Sequence, residues 1–168
     1  MLPKVDDRGR SGAVDSGTRR VYAALVGLRA RNARIETERK IRAALLTDAE
    51  RAWLVSKARY EGSAFHKARP NDFGLTPPTN PRKDKTLCDE ADIFDKATAK
   101  RLFDAALVHG LVSEQQTGDG FPKQLWVVDR GRVYELMYGG SQAGCYHGYP
   151  IRDSDPLADL VRARWGAP

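Results

Sequence analysis

Two histidines and the residues beside them are the strongest candidates for chemistry in this sequence. His66 follows the predicted end of a helix, and His147 lies in the run GCYHGYP over 144–150, where glycines leave the backbone open to a ligand. Histidine titrates near neutral pH, so two of them can act as the acid and the base of one reaction. The third histidine, His109, is predicted in the last turn of a helix, where the helix dipole favours a protonated imidazole.

These residue types suit cleavage of RNA by its own 2′-hydroxyl, which needs no metal ion. The reaction removes a proton from that hydroxyl, protonates the leaving 5′-oxygen and stabilises a charged phosphorane. We expect His66 and His147 to be the acid and base, and Lys67 to be the phosphate ligand. Tyr149 shares a strand face with His147, Tyr146 points the other way, and either could stack on a base or orient the phosphate. The alternative is a set of core aromatic rings around a structural histidine.

Positive charge is concentrated in the N-terminal half of the chain. Residues 1–85 hold 19 Lys and Arg against 10 Asp and Glu, whereas residues 86–168 hold 9 against 12. The excess is densest between Arg19 and Arg42, and such a stripe attracts polyanions, of which nucleic acid is the commonest in a cell. A solvated helix face is the alternative explanation. The residues expected to contact the RNA backbone are Arg29, Arg31, Arg34, Arg39, Lys40 and Arg42.

Composition limits the class of protein. The 168 residues, of which 41% are hydrophobic, suffice for one packed core. No stretch approaches the roughly 18 uncharged apolar residues of a membrane span, and the first residues lack the apolar segment of a signal peptide. Two cysteines without a secretory signal favour free thiols and a cytoplasmic location. Since neither CxxC nor HExxH occurs, we expect no metal site and no cofactor.

The N-terminal part of the chain is predicted to be helical. Residues 1–17 have the composition of a flexible arm, and residues 18–60 are predicted to form a basic helical segment. Its first helix is predicted to begin near Thr18 and to run to about Leu46. A capping box, with Thr47 as N-cap and Glu50 three residues later, starts a second helix that ends near Gly62.

Residues 61–168 are predicted to form an α+β domain. Its Pro-rich loop, 61–90, carries enough apolar residues to wrap over the body and pack. A helix over 96–109 is followed by a hairpin of strands at 125–128 and 132–138, a third strand from Cys145 to Ile151, and a helix after Asp155-Pro156. The fold class is therefore α+β, with N-terminal helices and a small three- to four-stranded antiparallel sheet flanked by helices.

The run GCYHGYP resembles the strand near the C-terminus of some bacterial toxin nuclease domains, in the barnase, EndoU, colicin and RelE-like ribonuclease group. N-terminal helices followed by a small antiparallel sheet are also typical of that group. The resemblance covers about the last fifty residues and the His66–Lys67 pair, while the Pro-rich loop and the basic helical extension depart from it. It implies metal-independent cleavage of RNA, often of tRNA or mRNA. A toxic ribonuclease also implies a neutralising protein partner.

Two functions without catalysis remain open. The helix over 96–109 and the hairpin after it resemble a winged helix, which would carry Lys96, Lys100 and Arg101 to a nucleic-acid groove. Alternatively, the basic helices bind an acidic surface on a protein partner, as in an adaptor or immunity subunit. His147 discriminates, because a ribonuclease needs it and a winged helix does not.

Overall fold

Three α-helices and a four-stranded sheet make up the part of the chain that the structure describes. The structure is a computed structural model, and it describes residues 39–81, 83–139 and 142–166. The helices are α1 (Asp48–Lys57), α2 (Lys96–His109) and α3 (Pro156–Trp165). The strands are β1 (Arg59–Tyr60), β2 (Gln124–Asp129), β3 (Arg132–Tyr138) and β4 (Cys145–Pro150), in the spatial order β1-β4-β3-β2. The predicted α+β class is confirmed. Within the described residues, every helix is too short or too polar to cross a lipid bilayer.

The sheet is antiparallel except at one edge. Strands β2 and β3 form the predicted hairpin, whose turn residues Arg130 and Gly131 both have positive φ, as the tight two-residue turns of hairpins require. Strand β4 pairs antiparallel with β3, and Glu135 is opposite Tyr149. The short strand β1 pairs parallel with β4, Tyr60 being opposite Tyr146, so the prediction of a wholly antiparallel sheet was wrong at this edge.

The two faces of the sheet are covered by different helices. One face packs against α2 and forms the larger of two apolar clusters. In it the ring of Phe103 contacts the ring of Tyr146. The other face packs against α3 through Trp126 and Val133. Because side chains alternate along a strand, His147 and Tyr149 lie on the α3 side, opposite Tyr146.

Helix starts follow the predicted caps. Thr47 and Glu50 form both bonds of the capping box at α1. Asp95 accepts a hydrogen bond from the backbone of α2, and Asp155 does the same for α3 ahead of its first-turn proline.

Two predicted helix ranges were wrong. Helix α1 ends at Lys57 rather than near Gly62, because the next residues are extended and pair with β4. Residues 39–46 are not helical: Ile41 bridges to Ser113 in an antiparallel fashion, and this long-range pairing overrides helical spacing. The arm predicted over 1–17 and the part of the predicted first helix over 18–38 lie outside the described residues.

The Pro-rich loop packs against the body, as predicted. Among its described residues it contains the single-turn 3₁₀ helices Ala64–His66 and Pro70–Phe73, and a third, Asp89–Ala91, begins at its end. Phe73 is buried in the larger apolar cluster. At its far end, the backbone N–H of Cys88 donates to the His66 carbonyl at 2.9 Å. The loop therefore closes on itself and holds His66 in a fixed position.

Candidate active site

The edge of β4 determines where the Pro-rich loop lies. Strand β1 covers only Cys145 and Tyr146 of that edge. Beyond it, the backbone N–H of Glu61 donates to the Tyr146 carbonyl at 2.8 Å, and the Cys88 thiol donates to the Gly148 carbonyl at 3.4 Å. The loop thus continues along β4 where β1 stops, which places His66 beside the C-terminal half of the strand.

Three rings come together at this position. The His66 ring stacks on Tyr149 with centroids 4.4 Å apart and planes 12° apart. The His66 and His147 centroids are 6.0 Å apart, and those of His147 and Tyr149 are 6.3 Å apart. Two histidines about eighty residues apart in the sequence therefore belong to one cluster, as the predicted acid–base pair requires.

Backbone carbonyls orient both imidazoles. The Nδ1 atom of His66 lies 2.8 Å from the Thr86 carbonyl oxygen, and that of His147 lies 3.0 Å from the Gly139 carbonyl oxygen. A carbonyl oxygen only accepts, so each neutral ring carries its proton on Nδ1 and its lone pair on Nε2. Both rings thus have the tautomer in which Nε2 can take up a proton.

The two histidines differ in access to solvent. His66 is only 3% exposed, whereas His147 is half-buried. Burial lowers the pKa of His147, and the nearby Lys85 lowers it further, while the Gly139 carbonyl and the Glu61 carboxylate oppose that shift. A neutral His147 at physiological pH can accept a proton, so it is the member of the pair suited to contact a ligand.

A buried ion pair lies behind Tyr149. The Tyr149 hydroxyl donates to the carboxylate of Glu135, which is 0% exposed. Arg39 binds the same carboxylate with two bonds, Nε to Oε1 at 3.2 Å and Nη2 to Oε2 at 2.5 Å, and donates to Asp155 at 2.8 Å. Burial raises the pKa of Glu135, and Arg39 opposes that shift. Burial and then the Glu135 carboxylate raise the pKa of Tyr149, so its hydroxyl stays protonated at neutral pH.

Lys67 does not lie where the predicted phosphate ligand should be. Its side chain is buried, its ammonium donates to the Ile93 carbonyl, and it lies 3.4 Å from the centroid of the Phe73 ring. Burial lowers the pKa of this lysine. Neighbouring side chains of an extended segment point to opposite sides, and Lys67, whose backbone is extended, points into the core. It has no access to a phosphate at the surface.

Tyr146 is not placed for its predicted role, and the described basic residues have carboxylate partners. Tyr146 is completely buried and donates to the Pro122 carbonyl at 2.6 Å, a position from which it cannot stack on a nucleobase. Three of the six predicted backbone contacts are paired with carboxylates: Arg39 with Glu135 and Asp155, Lys40 with Glu114, and Arg42 with Glu50. The other three, Arg29, Arg31 and Arg34, lie outside the described residues.

Sequence reasoning missed two residues of this cluster. Glu135 lies on the same face of its strand as Val133 and Met137, and a carboxylate inside a buried strand was a signal of a paired charge. Lys85 lies between Asp84, whose carbonyl accepts from Arg152 at 3.1 Å, and Thr86, whose carbonyl holds His66. These two bonds fix its backbone beside the cluster, which no local pattern indicated.

The described residues do not bring together three or more His, Cys, Asp or Glu side chains in a way that could hold a metal ion. No protein-family model, no curated protein and no solved structure matches this chain.

Proposed function

We propose that this protein is a metal-independent endoribonuclease whose active site is the His66–His147 cluster. The proposal depends on one observation. The two histidines expected to do chemistry have ring centroids 6.0 Å apart, and the Nδ1 atom of each ring lies on a backbone carbonyl oxygen. A catalytic nitrogen acts over about 2.6–3.2 Å or through one water, so a phosphodiester that contacts His147 can exchange a proton with the buried His66 through one water. The likeness of GCYHGYP to the toxin ribonuclease group supports the same reaction.

In the proposed reaction, His147 contacts the RNA directly because it is the more accessible ring. The 2′-oxygen attacks phosphorus and loses its proton to Nε2 of one neutral imidazole, while the other ring, which starts as an imidazolium protonated at Nε2, gives that proton to the leaving 5′-oxygen. The P–O5′ bond breaks, giving a 2′,3′-cyclic phosphate and a 5′-hydroxyl, so no co-reactant is needed. Lys85 replaces Lys67 as the cation that stabilises the phosphorane, because it is half-exposed and lies near His147. Tyr149 transfers no proton, since its hydroxyl stays protonated.

The substrate class in this proposal is tRNA or mRNA, in the cytoplasm, with a neutralising protein that restrains the enzyme. Because Arg39 binds the buried Glu135 carboxylate, the proposal places the main RNA contact at the surface around His147 and Lys85.

The test is cleavage of end-labelled tRNA and mRNA in EDTA by the intact chain and by three variants. We expect His147→Ala to lose about 10²- to 10⁴-fold in rate, the usual contribution of one acid or base, and His66→Ala to lose a similar amount. The control is His109→Gln. His109 stacks on Trp165 at 3.7 Å, away from the cluster, so this variant should keep the activity of its folded fraction. An RNA with a 2′-deoxy sugar at the cut position should stay intact.

Equal cleavage by the intact chain and His147→Ala would contradict the proposal. A gel shift of RNA without cleavage would replace it with a binding function of the winged-helix kind. Neither cleavage nor binding would turn the search toward a protein partner, which the adaptor alternative predicts.

A further inference from the structure

The α3 side of the sheet next to Glu135, His147 and Tyr149, here called the polar face, carries a chain of contacts longer than proton transfer requires. It runs from His66 through the face of Tyr149 to Glu135, then to Arg39 and finally to Asp155 at the start of α3. Every link except the first is a hydrogen bond, and the first is a nearly parallel ring stack. The chain connects the Pro-rich loop to a helix that begins about ninety residues later in the sequence.

The inner links hold the Tyr149 ring in place. Its hydroxyl oxygen lies on the axis about which the ring turns, so a bond at that oxygen anchors the far end of the side chain and keeps the ring from swinging away from His66. Glu135 supplies that bond, and two bonds from Arg39 prevent the carboxylate from turning. Since His66 is parallel to Tyr149 within 12°, fixing one ring constrains the other.

We propose that Glu135, clamped by Arg39, is a positioning residue that acts through Tyr149 to hold the His66 imidazole. Its consequence for catalysis rests on the proposed ribonuclease function, but the positioning itself does not. Glu135 is not a catalytic residue, because it is completely buried and Tyr149 separates it from the histidines. Together with the Thr86 carbonyl, the pair fixes His66 from two sides.

Stability alone does not explain why a carboxylate occupies this position. Well-packed apolar side chains can often replace a buried ion pair without loss of stability. An apolar residue at 135 would offer no acceptor to the Tyr149 hydroxyl, however, and the far end of the Tyr149 ring would lose its anchor. The ion pair therefore suits a role in geometry better than a role in stability.

The test compares two matched variants of β4, Tyr149→Phe and Tyr146→Phe. Each removes one hydroxyl that donates a buried hydrogen bond, from the same strand and on opposite faces of the sheet. The first readout is the proton NMR signal of the His66 Cε1–H, which the stacked Tyr149 ring shifts upfield. The chain has only three histidines, so His147→Ala and His109→Gln assign the signals. The second readout is kcat and KM for RNA in EDTA.

We expect Tyr149→Phe to move the His66 signal toward its unstacked position and to lower kcat about 10- to 100-fold with KM unchanged, because misplaced catalytic groups lose rate rather than affinity. Tyr146→Phe should leave both readouts as in the intact chain. The double variant Arg39→Met, Glu135→Leu removes the acceptor together with its cation and should repeat the effect of Tyr149→Phe where it folds, and Tyr149→Phe carries the test where it does not.

Equal effects of the two tyrosine variants, or an unmoved His66 signal in Tyr149→Phe, would overturn the positioning role. A selective movement of the His66 signal in a protein that cuts no RNA would support the positioning role and overturn the ribonuclease function. The two failures are therefore separable.

Discussion

Tyr146 and Tyr149 lie on the same strand and have opposite surroundings. Tyr146 packs among Phe103 and Tyr138, and its hydroxyl donates to a backbone carbonyl. Tyr149 stacks on an imidazole, and its hydroxyl donates to a buried carboxylate. One face of the sheet is thus an apolar core with its few polar atoms satisfied by backbone, whereas the other has, beside its own apolar cluster against α3, a region of buried charges and titratable rings around Tyr149.

The two tyrosines mark one region that mainly stabilises the fold and one that holds the groups proposed to do chemistry. Apolar burial contributes about 25 cal/mol per Å², so the α2 face gains stability from every side chain it covers. Burying Glu135 and Arg39 costs desolvation that their mutual bonds only offset. Substitutions on the α2 face should therefore lower the free energy of unfolding, and substitutions on the α3 face near His147 should mainly change chemistry.

The largest effect is expected from Phe103→Ala on the α2 face. Phe103 is 2% exposed and contacts the rings of Tyr60 and Tyr146. Its truncation should lower the free energy of unfolding by about 3–5 kcal/mol, measured by urea denaturation. RNA cleavage per folded molecule should stay unchanged. A loss of cleavage in the folded fraction would show that the two faces are not independent.

Arg39→Met tests the exception, a stabilising charge on the polar face. It leaves the Glu135 carboxylate buried without its cation, so we expect a loss of about 3 kcal/mol, at the low end for such pairs because Arg39 is 21% exposed. The loss should be larger at pH 8 than at pH 5, since protonation at the lower pH removes the unpaired charge. Urea denaturation at both pH values measures this difference.

The double variant Arg39→Met, Glu135→Leu is the control for that prediction. It removes both charges and should recover most of the lost stability while leaving Tyr149 without its acceptor. A double variant as unstable as Arg39→Met alone would mean that Arg39 stabilises the fold through Asp155 or through packing.

Gly148→Ala tests whether the two faces share one rigid strand. A Cβ at Gly148 would lie 2.7 Å from Cδ2 of Leu136, on the α2 face and between the two site residues His147 and Tyr149. We expect a loss of about 1–3 kcal/mol from overpacking and a change in the His147 NMR signal as β4 shifts. Gly118→Ala, which meets no atom within 4 Å, is the matched control and should be close to neutral.

The elements that sequence predicted well are those with local signals. The caps at Thr47, Asp95 and Asp155, and the change of period after Gly110, are properties of a few neighbouring residues. Strand β1 has two residues and shows no period, so its parallel pairing could not be seen. The bridge of Ile41 to Ser113 is a contact between distant segments, which helical spacing in the sequence cannot reveal.

The candidate site was predictable in residue type but not in geometry. Chemistry alone selected His66 and His147, and the alternation of β4 placed Tyr149 beside His147. The position of the loop depends on hydrogen bonds from Glu61 and Cys88 to the edge of β4, which are tertiary. Adjacency in sequence made Lys67 the natural phosphate ligand, but an extended backbone turns it into the core.

The smallest expected effect concerns the pH dependence of stability on the polar face. Burial lowers the pKa of His147 in the folded protein, while Gly139 and Glu61 partly oppose it. The unfolded chain therefore binds a proton more readily than the folded protein. The free energy of unfolding decreases as pH falls through about 6.5, the pKa of histidine in the unfolded chain, and levels off below the pKa of His147 in the folded protein. His147→Asn should lack this loss. Urea denaturation from pH 8 to pH 5 measures it as the difference between the two proteins.

The difference between the intact chain and His147→Asn also cancels the contribution of Glu135 to the pH dependence, which has the opposite sign. The raised pKa of Glu135 gives stability that is present at low pH and is lost as pH rises. This contribution to the free energy of unfolding is the same in both proteins. Tyr146→Phe, on the other face, should show the same pH dependence as the intact chain. If His147→Asn and the intact chain also have parallel curves, burial does not hold His147 neutral, and the proton acceptor of the cluster has to be another group.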